Sequence, residues 1–314
     1  MNRKILVGDV LARIKDIPDK SIDCVITSPP YFGLRSYDVN GQWGLEQDFQ
    51  QYLDKLGRLM DELKRVLKDT GTVWINLGDS YGGSGKGAGT KLKTTKRVWE
   101  FDKRPKTTEL VKAKSRMGIP ERFYINCIDN GWLARNNIVW AKNNAMPEAV
   151  KDRFSTKYES IFFFAKQKNY YFNLDAVREK HLTATTGTKR DKFIGKASKE
   201  YLQNWQKNED SIHKSNAYNP KGKNPGDIFQ INTTPYPEAH FATFPEALPT
   251  KILKCACKPG DIVLDPFFGS GTTGVAAEKL GIRWIGIELN KEYVMLAEKR
   301  LHPYVFQTRL EKVI

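Results

Sequence analysis

One stretch limits the fold of this 314-residue chain more than any other. Ile262–Asp265 is an apolar run ending in a carboxylate, and Pro266-Phe267-Phe268-Gly269-Ser270-Gly271 turns it sharply. Thr272-Thr273-Gly274 then opens an alanine-rich helical stretch, and a further apolar run, Arg283–Ile287, ends at Glu288. Glycines lack a Cβ and let backbone approach a ligand, while the helix that follows directs its first amides at the same place. A carboxylate at the end of the next strand is where both hydroxyls of a ribose can be taken. Strand, turn, helix and strand in that order predict a parallel α/β sheet.

The N-terminal part carries the same rhythm. Lys4–Val7 reads as a strand ending at Gly8-Asp9, and Asp23–Thr27 as a second that stops at Ser28-Pro29-Pro30, since proline cannot donate to a sheet ladder. Phe49–Leu67 has the helical period with one apolar face, Gly71 is its expected stop, and Thr72–Leu77 is the next strand. Arg122–Trp132 has a weaker helical pattern. Asn137–Lys142 and Ile161–Ala165 read as strands and, with Tyr170–Phe172 following soon after, this half could supply adjacent antiparallel strands, while Thr183–Asn224 shows no period.

Gly269 to Gly274 satisfies G-x-G-x-x-G, the fingerprint of dinucleotide dehydrogenases. Only 43 residues follow Gly271, too few for the strands such a fold places after its fingerprint. A nucleoside ligand that is not a dinucleotide fits better, and S-adenosylmethionine leads. The second motif, Ser28-Pro29-Pro30-Tyr31, is a stiff loop with an aromatic beside it. A planar base with an exocyclic amine could stack on Tyr31 and donate its protons to the Ser28 side chain and the Pro29 carbonyl.

Together the two motifs resemble those of the DNA amino-methyltransferases that use S-adenosylmethionine, whose catalytic motif is [S/D/N]-P-P-[Y/F/W] and whose cofactor motif contains F-x-G-x-G. Here the catalytic motif comes first, which resembles the permuted beta class. Gly8-Asp9, Phe244-Pro245-Glu246-Ala247-Leu248 and the block Trp140–Lys166 agree with that likeness. The resemblance implies a doubly wound, mostly parallel, seven-stranded Rossmann-like α/β sheet with circularly permuted motif order. It implies a catalytic domain of residues 1–177 and 231–314 with a basic insertion at 82–118, and a target-recognition region at 178–230. Carried over by match, Asp265, Phe267, Gly269, Gly271, Thr272 and Thr273 line the methionine and ribose part of the S-adenosyl-L-methionine site. Glu288 binds the ribose hydroxyls, Asp9 the adenine amine, and Phe244 packs beside the cofactor. Ser28, Pro29, Pro30 and Tyr31 hold the target base.

The reaction implied is direct transfer of a methyl group to an exocyclic amine of a flipped base in double-stranded DNA. Carbon-5 methylation of cytosine needs a Pro-Cys pair in its own family, and none of Cys24, Cys127, Cys255 and Cys257 follows a proline. Serine at the first catalytic position goes more often with cytosine N4 in this family, aspartate with adenine N6, so Ser28 favours N4. The alternatives are adenine N6, an RNA methyltransferase, or a DNA-binding protein whose site is inactive. A cognate restriction endonuclease acting on the same site is the partner expected of a restriction–modification pair.

Elsewhere the sequence is plainer. The longest uninterrupted apolar run, Ile161–Ala165, is far short of the roughly 20 residues of a membrane span, and Met1–Asp16 has no signal-like block. The cysteines form no C-x-x-C pair, which suggests a reducing compartment, and the expected location is cytoplasmic, beside the nucleoid. His181, His213 and His240 share no ligand spacing, so no metal is expected. Tyr37 and Trp43, after the catalytic loop, either touch DNA or cover the core.

Charge completes the picture. The chain has 51 Lys+Arg against 36 Asp+Glu, a formal +15. Gly82–Arg116 holds 11 basic and 3 acidic residues, and Arg178–Asn224 holds 11 and 5, so almost all the excess sits in two segments. A nearly neutral body that grips phosphates at two places should show steep salt dependence. Titration of a duplex at increasing salt should lower affinity by orders of magnitude between about 50 and 200 mM; a flat response would mean that these lysines serve solubility alone.

Overall fold

The computed structural model describes residues 3–34, 39–83, 111–180, 219, 221–234 and 244–310. Most of the basic insertion, most of the expected recognition region, Tyr37, His181, His213 and His240 lie outside the described residues. The chain divides into two compact units, Met1–Phe172 with Asp227–Ile314, and Asn173–Gly226.

The larger unit is built on a sheet of eight strands. In chain order these are β1 (Arg3–Val7), β2 (Ile22–Thr27), β3 (Leu67–Leu77), β4 (Leu133–Ala141), β5 (Tyr158–Ala165), β6 (Ile228–Gln230), β7 (Ile262–Asp265) and β8 (Arg283–Glu288). Across the sheet they run β1-β8-β7-β2-β3-β5-β4-β6. Every neighbouring pair is parallel except those made by β5, which is antiparallel to both β3 and β4. From the centre, β7 leads outward to β8 and β2 leads the opposite way to β3. The carboxyl ends of β2 and β7 therefore face a crevice at the point where the winding reverses, the usual place for a ligand in an open α/β sheet.

Among the described residues, six helices cover the sheet: α1 (Val10–Arg13), α2 (Phe49–Val66), α3 (Ile119–Asp129), α4 (Ala247–Ala256), α5 (Thr272–Lys279) and α6 (Lys291–Leu310). Helix α1 packs on α2 and α2 on α3, while α5 lies between α4 and α6. Alternate strand residues point to opposite faces. Val25, Val73, Ile75, Phe162, Phe164, Ile262, Leu264, Ile285 and Ile287 join the core beneath α2 and α3. Their neighbours Cys24, Ile26, Trp74, Phe163, Val263 and Trp284 are buried too. Burial on both faces is why these strands read as continuous apolar runs rather than alternating ones.

Local chemistry sets the element boundaries. Asp48 caps α2 by accepting the Gln51 amide at 2.9 Å, and the face Tyr52, Leu53, Leu56, Leu59, Met60, Leu63 and Val66 is buried. Asp79, just beyond β3, accepts the Gly118 and Ile119 amides at 3.0 and 3.1 Å and so caps α3 from another element. The four cysteines are buried and free; Cys255 lies in the last turn of α4 and Cys257 caps it.

The structure departs from the sequence reading in three places. Helix α2 stops at Val66 and β3 begins at once, so Gly71 lies inside a strand rather than ending the helix. A Cβ there would sit 2.7 Å from the Leu67 side chain and 2.9 Å from the Asp23 carbonyl, so glycine makes room where β2 and β3 shift register. Tyr170–Phe172 is not a strand; Phe172 instead stacks on Phe163 at 5.7 Å. The sheet has eight strands rather than seven because Ile228–Gln230 pairs parallel with β4, burying Phe229. Three residues are too few to show a two-residue period.

In the smaller unit Asn173 caps a 3-10 turn, Leu174–Val177, and Glu179 bridges Lys223 antiparallel. Asp175 pairs with Arg178 at 2.6 Å and with Lys221 at 2.7 Å.

Gly286 in β8 is the tightest position along this sheet, since an added Cβ would meet the Phe268 ring at 2.3 Å. Gly286→Ala should destabilise the protein by about 1–3 kcal/mol through overpacking. Urea unfolding is the measurement, and a midpoint unchanged from the parent would show that Phe268 can move aside.

Candidate functional site

The two motifs meet in one cavity of about 250 Å³ at the winding reversal. Its walls include Asp9, Ser28, Pro29, Pro30, Tyr31, Phe244, Asp265, Phe267, Gly269, Thr272 and Glu288, so eleven of the thirteen residues singled out in the sequence share it. Gly271 and Thr273 do not line it. Gly271 caps α5 in a left-handed conformation, φ +80°, and an added Cβ would lie 3.0 Å from Ala297 of α6. Thr273 is buried beneath the turn and bonds to Asp265. Both shape the site from behind.

Asp265 ties the halves together. Its Oδ1 accepts the Thr27 hydroxyl at 2.8 Å and the Phe267 amide at 3.1 Å, and its Oδ2 accepts the Thr273 hydroxyl at 2.6 Å. Thr27 ends β2, directly before Ser28, so one carboxylate fixes the catalytic loop to the glycine turn. Phe267 and Phe268 then part: Phe267 faces the cavity, 5.2 Å from the buried Trp43 ring, while Phe268 stacks on Trp284 at 5.1 Å. From α6, Arg300 fastens the outside of the turn by donating to the Ser270 carbonyl at 3.0 Å and to the Thr272 hydroxyl at 3.1 Å.

At the ends of β8 and β1 stand two more carboxylates. Glu288 accepts the Gly269 amide through Oε2 and the Asn290 amide through Oε1, each at 2.7 Å. A carboxylate has acceptor capacity beyond these bonds, which a ribose hydroxyl can use. Asp9 caps α1 through Oδ1 and accepts the Trp43 indole N–H through Oδ2 at 3.3 Å. Trp43 therefore belongs to the core and to the cavity wall. This set of carboxylates, the aromatic edge of Phe267 and the open helix start fit a nucleoside-bearing cofactor.

The opposite wall holds residues that sequence reasoning passed over. Tyr31 donates its phenol proton to Glu159 Oε2 at 2.7 Å, and Lys142 pairs with the other oxygen of Glu159. Asn76 Oδ1 lies 3.0 Å from the Tyr31 hydroxyl and 3.3 Å from Ser28 Oγ. Burial, then the charge of Glu159, hold the Tyr31 phenol well above its ordinary range, so it keeps its proton. Gly78 admits the ring, since a Cβ there would come within 2.5 Å of it, and Tyr52 donates to the Pro30 carbonyl at 2.8 Å. Trp140, with the Lys142 ammonium 4.2 Å above its ring, completes this wall. The one available signal was adjacency: Glu159 follows Tyr158 in the block already noted, but nothing in the sequence aims it at Tyr31.

Burial also sets a pH dependence. It raises the Asp265 carboxyl from 3.8 to about 6, against the opposing bonds from Thr273, Thr27 and the Phe267 amide. Glu288 moves the same way, chiefly by burial. Between about pH 4 and 6 the folded chain thus holds a proton on Asp265 that the unfolded chain has lost, and stability falls as pH rises through that window. The shift corresponds to roughly 3 kcal/mol. Asp265→Asn should abolish this component, so its stability relative to the parent should rise by about that amount from pH 4 to pH 7. Urea unfolding at both pH values is the check, and a constant difference would show that Asp265 ionises as in water.

Comparison with known proteins agrees with the geometry. The family model described as DNA methylase, for N6 and N4 methyltransferases, matches residues 22–299. The chain is 38% identical over 295 residues to the type II methyltransferase M.Cfr9I of Citrobacter freundii, covering 94% of this chain and 86% of that protein. Among solved structures, PvuII DNA methyltransferase (cytosine-N4-specific) superposes with a TM-score of 0.63 at 20% identity, over 95% of this chain and 85% of that one. A putative DNA modification methylase of Thermus thermophilus, complexed with S-adenosyl-L-methionine, gives 0.56 at 23% identity over 96% of each chain. The chain belongs to the N6/N4 DNA methylase family, whose methyl donor is S-adenosyl-L-methionine.

Proposed function

We propose that this DNA methyltransferase modifies the exocyclic N4 of cytosine at a specific site in double-stranded DNA, on a base turned out of the helix. The observation that carries the reading is the Thr27–Asp265 bond, which holds a loop able to grip an amine beside a turn able to grip a nucleoside. When bound, S-adenosyl-L-methionine supplies an electrophilic methyl group on a sulfonium. Glu288 would take its ribose hydroxyls and Asp9 its adenine amine, while Asp265, Phe267, Gly269 and Thr272 would line the rest, with Phe244 alongside.

An exocyclic amine is a poor nucleophile because its lone pair is delocalised into the ring. Ser28 Oγ and the Pro29 carbonyl accept its two protons, which favours a tetrahedral nitrogen and localises that lone pair for in-line attack. Pro30 stiffens the loop, and Tyr31 offers the base a ring to stack on. No side chain is needed as a covalent nucleophile. Ser28 in the first catalytic position supports cytosine N4, as the family resemblance implies; adenine N6 is the second reading, with the same chemistry. The resemblance to type II methyltransferases supports a partner endonuclease that cuts the same site when it is unmodified.

The test is tritiated S-adenosyl-L-methionine with duplex DNA, with RNA and with neither, followed by nucleoside analysis. Label in N4-methylcytosine is expected. Label only in N6-methyladenine would select the second reading, and transfer to RNA alone would overturn both. Tyr31→Ala should reduce turnover more than cofactor binding, whereas Gly271→Asp should abolish cofactor binding by breaking the φ +80° turn against α6. The reverse pattern would refute the division of the cavity.

A further inference from the structure

A serine hydroxyl carries one proton and two lone pairs, and it grips an amine only if that proton points elsewhere. The groups around Ser28 decide where it points. Asn76 turns its Nδ2 toward the Ser160 carbonyl at 3.2 Å. A carbonyl only accepts, so the amide is fixed and its acceptor-only Oδ1 faces the loop, 3.3 Å from Ser28 Oγ. The other neighbour of Ser28 is the Tyr31 hydroxyl, also at 3.3 Å. Its own proton is drawn away to Glu159, a carboxylate that Lys142 pairs on its far oxygen. Among the described residues, both groups hydrogen-bonded to Ser28 Oγ therefore receive a proton and neither gives one.

We propose that Asn76, Glu159 and Lys142 are positioning residues that sort the protons of the catalytic loop, leaving Ser28 Oγ to present only lone pairs to the target amine. Asn76 comes from β3, Glu159 from β5 and Lys142 from the end of β4, so the antiparallel pairing of β5 between its neighbours is what assembles the relay. The inference rests on the reading that Ser28 accepts an amine proton. Without Glu159 the Tyr31 proton turns to Asn76 Oδ1 at 3.0 Å or to Ser28 itself, and in either case it competes with the amine.

A double-mutant cycle on the full chain tests this, with methyl-transfer kcat, KM for cofactor and DNA, and thermal unfolding measured for each variant. Glu159→Ala should lower kcat by about 10–100-fold with KM for the cofactor little changed. In the Tyr31→Phe background, which lacks the competing proton, the same substitution should change kcat by less than about threefold. Equal losses in both backgrounds would overturn the relay, as would a Tyr31→Phe loss as deep as that of Ser28→Ala, since Asn76 still takes the Ser28 proton there. If Glu159→Ala fails to fold because Lys142 is left unpaired, Glu159→Met with Lys142→Met removes both charges and carries the same two expectations. Full turnover in Ser28→Ala would instead refute the role of Ser28, and with it the reading on which the relay rests.

Discussion

The buried carboxylate of Asp265 is the point through which the rest of the site is held. It ends β7, its oxygens reach the last residue of β2 and the first turn of α5, and nothing else among the described residues joins the two loops so directly. Ionising a carboxyl in that position costs free energy, which is why its pKa climbs to about 6 even with three donors on it. An aliphatic side chain there would pack more cheaply. It could not hold Thr27 and Thr273 in register, and each would be left a buried hydroxyl without its partner. The fold accepts a modest electrostatic cost at its centre to fix the relative placement of two loops that lie more than two hundred residues apart in sequence.

Around that junction the turn is shaped by space rather than by charge. Phe268 fills the gap between α5 and β8, and it can do so only because Gly274 and Gly286 leave room; Cβ atoms there would meet its ring at 2.7 and 2.3 Å. With Phe268 locked inward on Trp284, Phe267 is forced outward toward the cavity, and the amide of Gly269 is delivered to Glu288. The glycine-rich motif thus does two jobs at once. Gly269 approaches a carboxylate at the cavity, while Gly271 and Gly274 make room for close packing behind it.

Much of this was legible in the sequence because it is local. Strand, turn, helix and terminal carboxylate follow one another within about thirty residues, and Ser28-Pro29-Pro30-Tyr31 is a contiguous loop. The permuted order is also legible in the sequence, since Ser28–Tyr31 precedes Phe267–Gly271, and β1 lies beside β8. What escaped is non-local or too short. Asn76 reaches Ser28 and the Ser160 carbonyl because β3 and β5 pair with Leu77 opposite Ser160, a register that no run of residues announces. Strand β6 is three residues long. Gly271 and Thr273 sit in the same motif, but neither lines the cavity.

The cavity and the chain carry opposite charge, and the contrast has a physical use. Among the described lining residues Asp9, Glu159, Asp265 and Glu288 face one cation, Lys142, which is already paired. In the sequence, the formal excess of +15 lies almost wholly in two segments away from the motifs. An excess of positive charge draws a polyanion, while an acidic cavity repels its phosphates. A nucleobase is neutral and presents amine protons, so it can enter where its own backbone cannot. A sulfonium cation is favoured in the same place for the same reason. Under the proposed function, separating the two charges in this way would let one chain hold DNA by its phosphates and admit only a base to the cavity, with the acceptors around Ser28 turned to receive it.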